Sequence, residues 1–403
     1  MTIALRRVTA DDWQEWRTVR LAALAEAPGA FGSTLADWQD APEDRWRTRL
    51  SLPDAVDLLA VDTEHEHEHE HEHDHDHARH DHDHVIGMAT GVPDVDDRRR
   101  AELISMWVAP EARGSGVARQ LIDAVARAMA EHGAEHLELS VMPDNDRARR
   151  TYERAGFART DTLGDALPDG RHELVMSRDL AAERTLLAYE RGADRYADRT
   201  DDHRSGLVDD LLALVPAGSH VLELGSGPGR DADALEAAGL RVDRTDGAAA
   251  FVDRLRAAGH DARLLDVRRD DVGPDEGVRP DDARPDDDAR PATAAGWGGP
   301  YDAVFANAVL LHVDRDATGP VLERARRAVR PGGVLAATVK RGDGAGWSDR
   351  KLDDPRWFTY WAEDALAAVV SSAGWHGVHV RETTRPGADE RWLTVTAHRP
   401  EED

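Results

Sequence analysis

Cysteine is absent from this 403-residue chain. Disulfides, thiolate metal sites and a cysteine nucleophile are therefore excluded. Lysine is nearly absent as well, with Lys340 and Lys351 alone against a background of arginine, as a GC-rich coding sequence or a salt-adapted host would produce. Positive charge is outnumbered: 51 Lys+Arg against 79 Asp+Glu give a formal net charge of -28. That balance argues against a nucleic-acid partner held by its backbone and favours amine-bearing, cationic acceptors. Met1 to Thr9 holds no apolar stretch long enough for a signal peptide or a membrane span, so a cytoplasmic protein without a membrane partner is expected. The length favours two or three domains.

What the chain does hold is two glycine signatures. The first in strength is Val221-Leu222-Glu223-Leu224-Gly225-Ser226-Gly227-Pro228-Gly229. Gly225, Gly227 and Gly229 let the backbone turn tightly out of a strand and approach a ligand, and a helix from about Asp231 then points its N-terminus at the site. The third glycine comes one position too early for a dinucleotide G-x-G-x-x-G motif. A second strand, Leu240 to Thr245, ends in Asp246, where an α/β nucleotide site places a carboxylate for the ribose. A third, Ala262 to Leu265, ends in Asp266. Tyr301 to Asn307 and Gly332 to Val339 read as strands four and five.

This block, roughly Tyr189 to Arg399, resembles the class I methyltransferases that use S-adenosylmethionine (SAM), and so implies a Rossmann-like, doubly wound, seven-stranded sheet. The resemblance assigns Glu223 and the glycine loop to the methionine end of SAM, Asp246 to the ribose and Asp266 to the neighbourhood of the adenine. Methyl transfer needs alignment more than acid/base help. His312, after strand four, reads either as a base or as a capping or merely polar side chain. Trp357 to Trp361, with Trp347 and Lys340 nearby, lean towards lining a cavity, and Tyr189 and Tyr196 either lid the site or simply pack.

The second signature lies in the first half. Leu103 to Val108 reads as a strand, and Arg113-Gly114-Ser115-Gly116-Val117-Ala118 leads into an amphipathic helix with apolar Val117, Leu121, Ile122, Val125, Ala126 and Met129. Backbone N–H groups at a helix start beside an arginine suit a pyrophosphate. With the later Asn145, Ala148, Tyr152, Gly156 and Phe157, the region from Ile3 to Leu180 resembles the GNAT acyl-CoA N-acetyltransferases, whose fold is a mixed sheet flanked by helices. The resemblance implies acetyl-CoA, with Met106, Trp107 and Val108 on the pantetheine arm, Arg113 to Ala118 on the pyrophosphate, Asn145 helping to hold the pantetheine and Tyr152 protonating the departing thiolate. A phenol of ordinary pKa near 10 suits that task; the other reading of Tyr152 is a core aromatic. Ser140 stands where ribosomal-protein alanine acetyltransferases carry a glutamate, so such a substrate is in doubt. Glu102 is the candidate base, or else a solvated surface acid. Trp16, Phe31 and Trp46 either shape an acceptor pocket or form core.

The domains are then 1–180 for the acetyltransferase-like part, 181–205 for a linker and entry helix, and 206–403 for the methyltransferase-like part. Two low-complexity inserts interrupt them. Glu64 to His84 alternates histidine with acids and holds half of the 20 histidines; it reads as a disordered loop that picks up divalent metal adventitiously rather than as a dedicated metal site. The Arg/Pro/Asp-rich stretch 268–299 reads as a disordered loop without chemistry. Three readings remain: a bifunctional transferase acting on small-molecule or amine acceptors, a chain in which one domain turns over and the other senses or supports, and a metal-handling protein built around the histidine tract. Neither the acceptors nor the oligomeric state has a signature of its own.

Overall fold

The structure is a computed structural model that describes residues 2–63, 84–199, 205–268, 297–350, 352–384 and 390–401. It divides into two compact units, Met1–Arg184 and Thr185–Asp403. The histidine tract apart from His84, and the interior 269–296 of the second insert, lie outside the described residues.

The first unit runs β1 (Ile3–Val8), α1 (Trp13–Glu26), α2 (Leu35–Trp38), α3 (Glu43–Arg49), β2 (Val56–Asp62), β3 (His84–Pro93), β4 (Arg100–Val108), α4 (Val117–Glu131), β5 (His136–Val141), α5 (Asp146–Arg154), β6 (Ala158–Ala166) and β7 (His172–Asp179). The unit boundary falls inside the next helix, α6 (Ala181–Arg199). Its seven strands form one sheet in the order β1-β2-β3-β4-β5-β7-β6. Every neighbouring pair is antiparallel except β4 with β5. The apolar face read from the sequence of α4 is buried: Val117, Leu121, Ile122, Val125, Ala126 and Met129 have no exposed surface. That face lies so close to β3 that a Cβ on Gly91 would come within 2.7 Å of Val125, so glycine there is a packing requirement.

A buried ion network ties this unit's sheet to its helices. Arg178, on β7, donates to Asp123 of α4 and to Glu183, each at 2.7 Å, and Arg119 also donates to Asp123 at 2.7 Å. Arg178, Asp123 and Glu183 are all more than nine-tenths buried. Removing the central cation strands carboxylates away from water, a far larger cost than the pair's net contribution.

The second unit continues with α7 (Leu207–Leu212), β8 (His220–Leu224), α8 (Arg230–Ala237), β9 (Arg241–Asp246), α9 (Ala249–Ala257), β10 (Ala262–Leu264), β11 (Tyr301–Asn307), α10 (Arg315–Ala328), β12 (Val329–Arg341), β13 (Ala345–Ser348), β14 (Arg356–Trp361), α11 (Glu363–Ser372), β15 (His376–Thr384) and β16 (Arg391–His398). The parallel run β10-β9-β8-β11-β12 places the glycine-bearing β8 at its centre, and the antiparallel β16 and β15 extend it beyond β12. The sheet has nine strands rather than the seven expected, because the hairpin β13–β14 joins β12 through Lys340↔Tyr360 and Arg341↔Trp361. Its central strands are largely apolar, as a parallel sheet covered on both faces requires: Leu222, Val304, Phe305, Leu335 and Ala336 are all essentially inaccessible.

Arg178→Ala is expected to destabilise the first unit by about 3–5 kcal/mol, read as a drop in the denaturant midpoint with an unchanged slope; a loss of only a few tenths would show that the network is solvent-relieved.

Candidate functional site

Each unit brings its glycine signature to the carboxyl end of a strand. In the first, β4 and β5 pair only from Arg100↔His136 to Glu102↔Glu138 and then part. A register shift between Met88↔Trp107 and Thr90↔Ile104 places two residues of β4 against one of β3. Ser105, inside this bulge, has φ 55°. A bulge bends its strand, and on the side of β5 the backbone of Met106, Trp107 and Val108 has no paired neighbour. The chain then turns through Arg113, which donates to the carbonyl of Val108 at 3.0 Å and to Glu26 at 2.6 Å. Gly116, at φ 96°, caps α4 without any side-chain cap. The first N–H groups of the helix, from Val117 and Ala118, have no acceptor within it. A Cβ on Gly114 or Gly116 would meet nothing within 4 Å, so the loop has the open, donor-rich shape that a pyrophosphate fits. Val117 itself is core. Ser115 does not offer its hydroxyl, which donates to the Ala112 carbonyl at 2.6 Å.

Asn145 caps α5, its amide oxygen accepting from Ala148 N–H at 3.1 Å; the side chain is fixed by the helix it starts. Tyr152 stacks edge-on against Phe157 at 5.8 Å. Burial pushes its phenol up to about 12, which corrects the expectation of an ordinary pKa. Glu102 stands where β4 and β5 part, as an exposed side chain. Partial burial, then the carboxylates of Asp165, Glu138, Glu173 and Asp94, raise its pKa above the usual glutamate range. A carboxyl held upward among acids accepts a proton from an ammonium more readily than an isolated surface glutamate. Trp16 and Trp46 are fully buried core, whereas Phe31 is only partly covered.

In the second unit Glu223 is 3% exposed and its Oε2 has no hydrogen-bond partner. Burial raises its pKa to about 8. A Cβ on Gly225, at φ 67°, would collide with Val309, while one on Gly227 would meet nothing within 4 Å. Gly229, at φ 91°, caps α8. Arg244 holds the loop from beneath, donating to the Gly229 carbonyl at 3.3 Å and to Asp233 and Glu236 of α8 at 2.9 and 2.6 Å. Asp246 turns inward, accepting from Gly227 N–H and Ala248 N–H at 2.8 Å each. Burial lifts it to about 6. It therefore shapes the loop. Asp266 is engaged by Arg268 through both oxygens, at 3.0 and 2.7 Å. The arrangement fits a cationic donor: a buried acid with an oxygen to spare, beside a loop open to close approach.

His312 corrects the reading of a base. Its Nδ1 lies 2.6 Å from the Trp357 carbonyl, which only accepts, so Nδ1 carries the proton. Its Nε2 therefore accepts from the Tyr189 hydroxyl at 2.8 Å, and that oxygen in turn accepts from Arg356 at 3.1 Å. With every position committed and burial lowering its pKa to about 3, His312 is a positioning group for Tyr189. Arg356, 3% exposed, is the member of this chain that the sequence left unremarked; only the fold brings it to the tyrosine. Tyr189 and Tyr196 pack with Phe251 at 6.2 and 5.8 Å, beside the loop that follows Asp246. Phe358 and Trp361 are core, which overturns their assignment to a cavity. Asp233, Glu236 and His260 come within metal-binding reach of one another, but Arg244 already neutralises the two acids.

Residues 34–157 match the family model described as "Acetyltransferase (GNAT) family", and residues 222–335 match "Methyltransferase domain". A mycothiol acetyltransferase from Propionibacterium freudenreichii subsp. shermanii is 42% identical over 73 residues, which span 18% of this chain and 23% of that protein. Among solved structures, the 1,6-didemethyltoxoflavin-N1-methyltransferase of Burkholderia thailandensis aligns at TM-score 0.39 and 21% identity, covering 60% of this chain and 95% of its own. The PaiA N-acetyltransferase of Thermoplasma acidophilum aligns at TM-score 0.33 and 16% identity, covering 44% and 99%. Among the described residues no helix is long and apolar enough to cross a membrane.

The raised Glu223 has a stability consequence. Folded, its carboxyl keeps the proton up to about pH 8, whereas an unfolded glutamate ionises near 4.5. Between those values the folded state binds more protons, so its contribution is full below about pH 4.5 and is lost as pH rises through 8. Without ligand, Glu223→Gln is expected to melt higher than the parent at pH 8 and to show a flatter pH dependence between 5 and 8. Parallel slopes for the two proteins in circular dichroism melts would refute the assignment.

Proposed function

We propose, for a chain that carries a GNAT-family acetyltransferase domain followed by a methyltransferase domain, that it is a bifunctional transferase acting on small-molecule or amine acceptors. The observation that carries this reading is the shared geometry of the two signatures: Gly116 and Gly229, at φ 96° and 91°, each begin a helix at the end of the loop that leaves a strand, in positions suited to a phosphorylated donor and to a nucleoside donor respectively.

Acetyl-CoA supplies the activated acyl group in the first unit. Residues 106–108 offer an unpaired backbone edge for an extended arm, and the start of α4 with Arg113 offers donors and charge for a pyrophosphate. Glu102 takes a proton from the acceptor's ammonium, which makes the amine a nucleophile. Tyr152 gives a proton to the sulfur as it leaves. A phenol raised to about 12 stays fully protonated at neutral pH and holds its proton until basicity develops on that sulfur.

SAM supplies an electrophilic methyl group in the second unit. Glu223 and the glycine loop hold the donor's amino-acid end, and ionisation of Glu223, which burial opposes, is favoured when a cation arrives beside it. Asp246 would hold the ribose, and Asp266 would lie towards the adenine, when that donor is bound. The Arg356–Tyr189–His312 chain fixes one wall of the crevice, so the acceptor is aligned rather than activated by a base.

Calorimetric titration of the full chain with acetyl-CoA and, separately, SAM, in chelator, is expected to give two independent saturable isotherms. Asp246→Ala is expected to abolish only the second. Tyr152→Phe is expected to lower acetyl transfer about 10²-fold or more with donor affinity unchanged. Binding of one donor alone would reduce the silent unit to a support, and binding of neither would overturn the reading.

A further inference from the structure

In the first unit a buried positive charge is left without a counter-ion. Arg20, on α1, is 9% exposed, and its Nη1 has no hydrogen-bond partner. Its Nη2 reaches only the Ser33 hydroxyl, at 3.4 Å. The face of the guanidinium lies 4.4 Å from the centre of the Phe31 ring. Among the described residues no carboxylate pairs with it, and burial together with neighbouring Arg49 lowers its pKa to about 10. Arg49 does have an acid: it donates to Asp57 at 3.2 Å, and also to Thr90 at 3.0 Å and to Ser105 at 3.3 Å. Arg49 therefore has a carboxylate of its own, whereas Arg20 has none among the described residues. A buried arginine in this state is costly to keep, and the cost is recovered when an anion is bound.

The position of this charge specifies which anion. Arg49 touches Ser105, the residue at positive φ inside the β4 bulge. Further along α1, Glu26 accepts from Trp107 at 3.1 Å and from Arg113 at 2.6 Å. From Arg20 to Glu26 the helix thus follows β4 from the bulge towards the glycine loop. If a donor's pyrophosphate sits at residues 113–118 and its arm along 106–108, the acyl end falls at the bulge, beside the Arg20–Arg49 pair. Phe31, between Gly29 and Gly32, and Ser33 after them lie against the guanidinium. A Cβ on either glycine would meet nothing within 4 Å.

We infer that Arg20 is a specificity-determining residue that binds a carboxylate on the acetyl acceptor, so that the acceptor is amino-acid-like, with its amine directed to Glu102 and its carboxylate to Arg20. This rests on the acetyltransferase reading of the first unit. It explains why a chain of net charge -28 keeps an uncompensated cation inside this domain. Specificity for a zwitterion follows from the two charges being read by groups of opposite sign.

The test is binding of propionate and its neutral isostere propionamide to the full chain, followed by ligand-observed NMR. Propionate is expected to bind about 10- to 100-fold more tightly, the range of a charge-assisted hydrogen bond. Arg20→Met should erase the preference and Arg20→Lys should keep part of it. Arg20→Met should also melt no lower than the parent, because it removes an unpaired buried charge. Equal binding of the two probes, a preference that survives Arg20→Met, or a marked fall in melting temperature would each overturn the assignment. Failure of acetyl-CoA to bind the parent would instead remove the acetyltransferase reading, and the propionate result is independent of it.

Discussion

The two glycine signatures depend on one backbone constraint: a helix that begins at a residue with positive φ, at the end of the loop that leaves a strand. Gly116 before α4 and Gly229 before α8 hold that conformation. An ordinary L-residue would be strained there by about 1–2 kcal/mol, and a side chain on Gly229 would strike Leu255 and Arg244. With glycine in place the turn is tight enough to aim the helix N-terminus back over the strand end, so unpaired N–H groups and partial positive charge face the site. The same local solution recurs in both units.

What differs between the units is the charge buried next to that turn. Beside β8 lies a carboxyl, Glu223, forced by burial to keep its proton to about pH 8. Beside the β4 bulge lies a guanidinium, Arg20, with no acid of its own. Each is a cost to the fold. The scaffold groups behave otherwise. Arg178 has two carboxylates, Arg244 has two, and His312 is closed into a chain of donors and acceptors. Buried polar groups that find their partners hold the architecture.

Much of the fold was legible because its signals are local and periodic. The apolar face of α4 from Val117 to Met129 follows from helical spacing, and the strands around Glu223 follow from apolar runs that end in glycine or an acid. The family matches at 34–157 and 222–335 fall on those two blocks. Roles that depend on a neighbour distant in sequence were not legible. His312 looks available until Tyr189, 123 residues away, is placed on its Nε2. Phe358 and Trp361 look like pocket aromatics until β14 is threaded into the core. Tyr152 looks like an ordinary phenol until burial changes its pKa. The β13–β14 hairpin, which raises the sheet to nine strands, is short and irregular and leaves little period to read.

The sequence by itself determined the two-part organisation, the strand-loop-helix units and the glycines on which they turn, because backbone conformation and hydrophobic period are properties of neighbouring residues. Only the tertiary structure decided which ionisable groups are free to act. Burial, pairing and proton affinity depend on groups brought together from across the chain, as Arg49 is with Ser105 and Arg356 with Tyr189, and no spacing rule records such encounters.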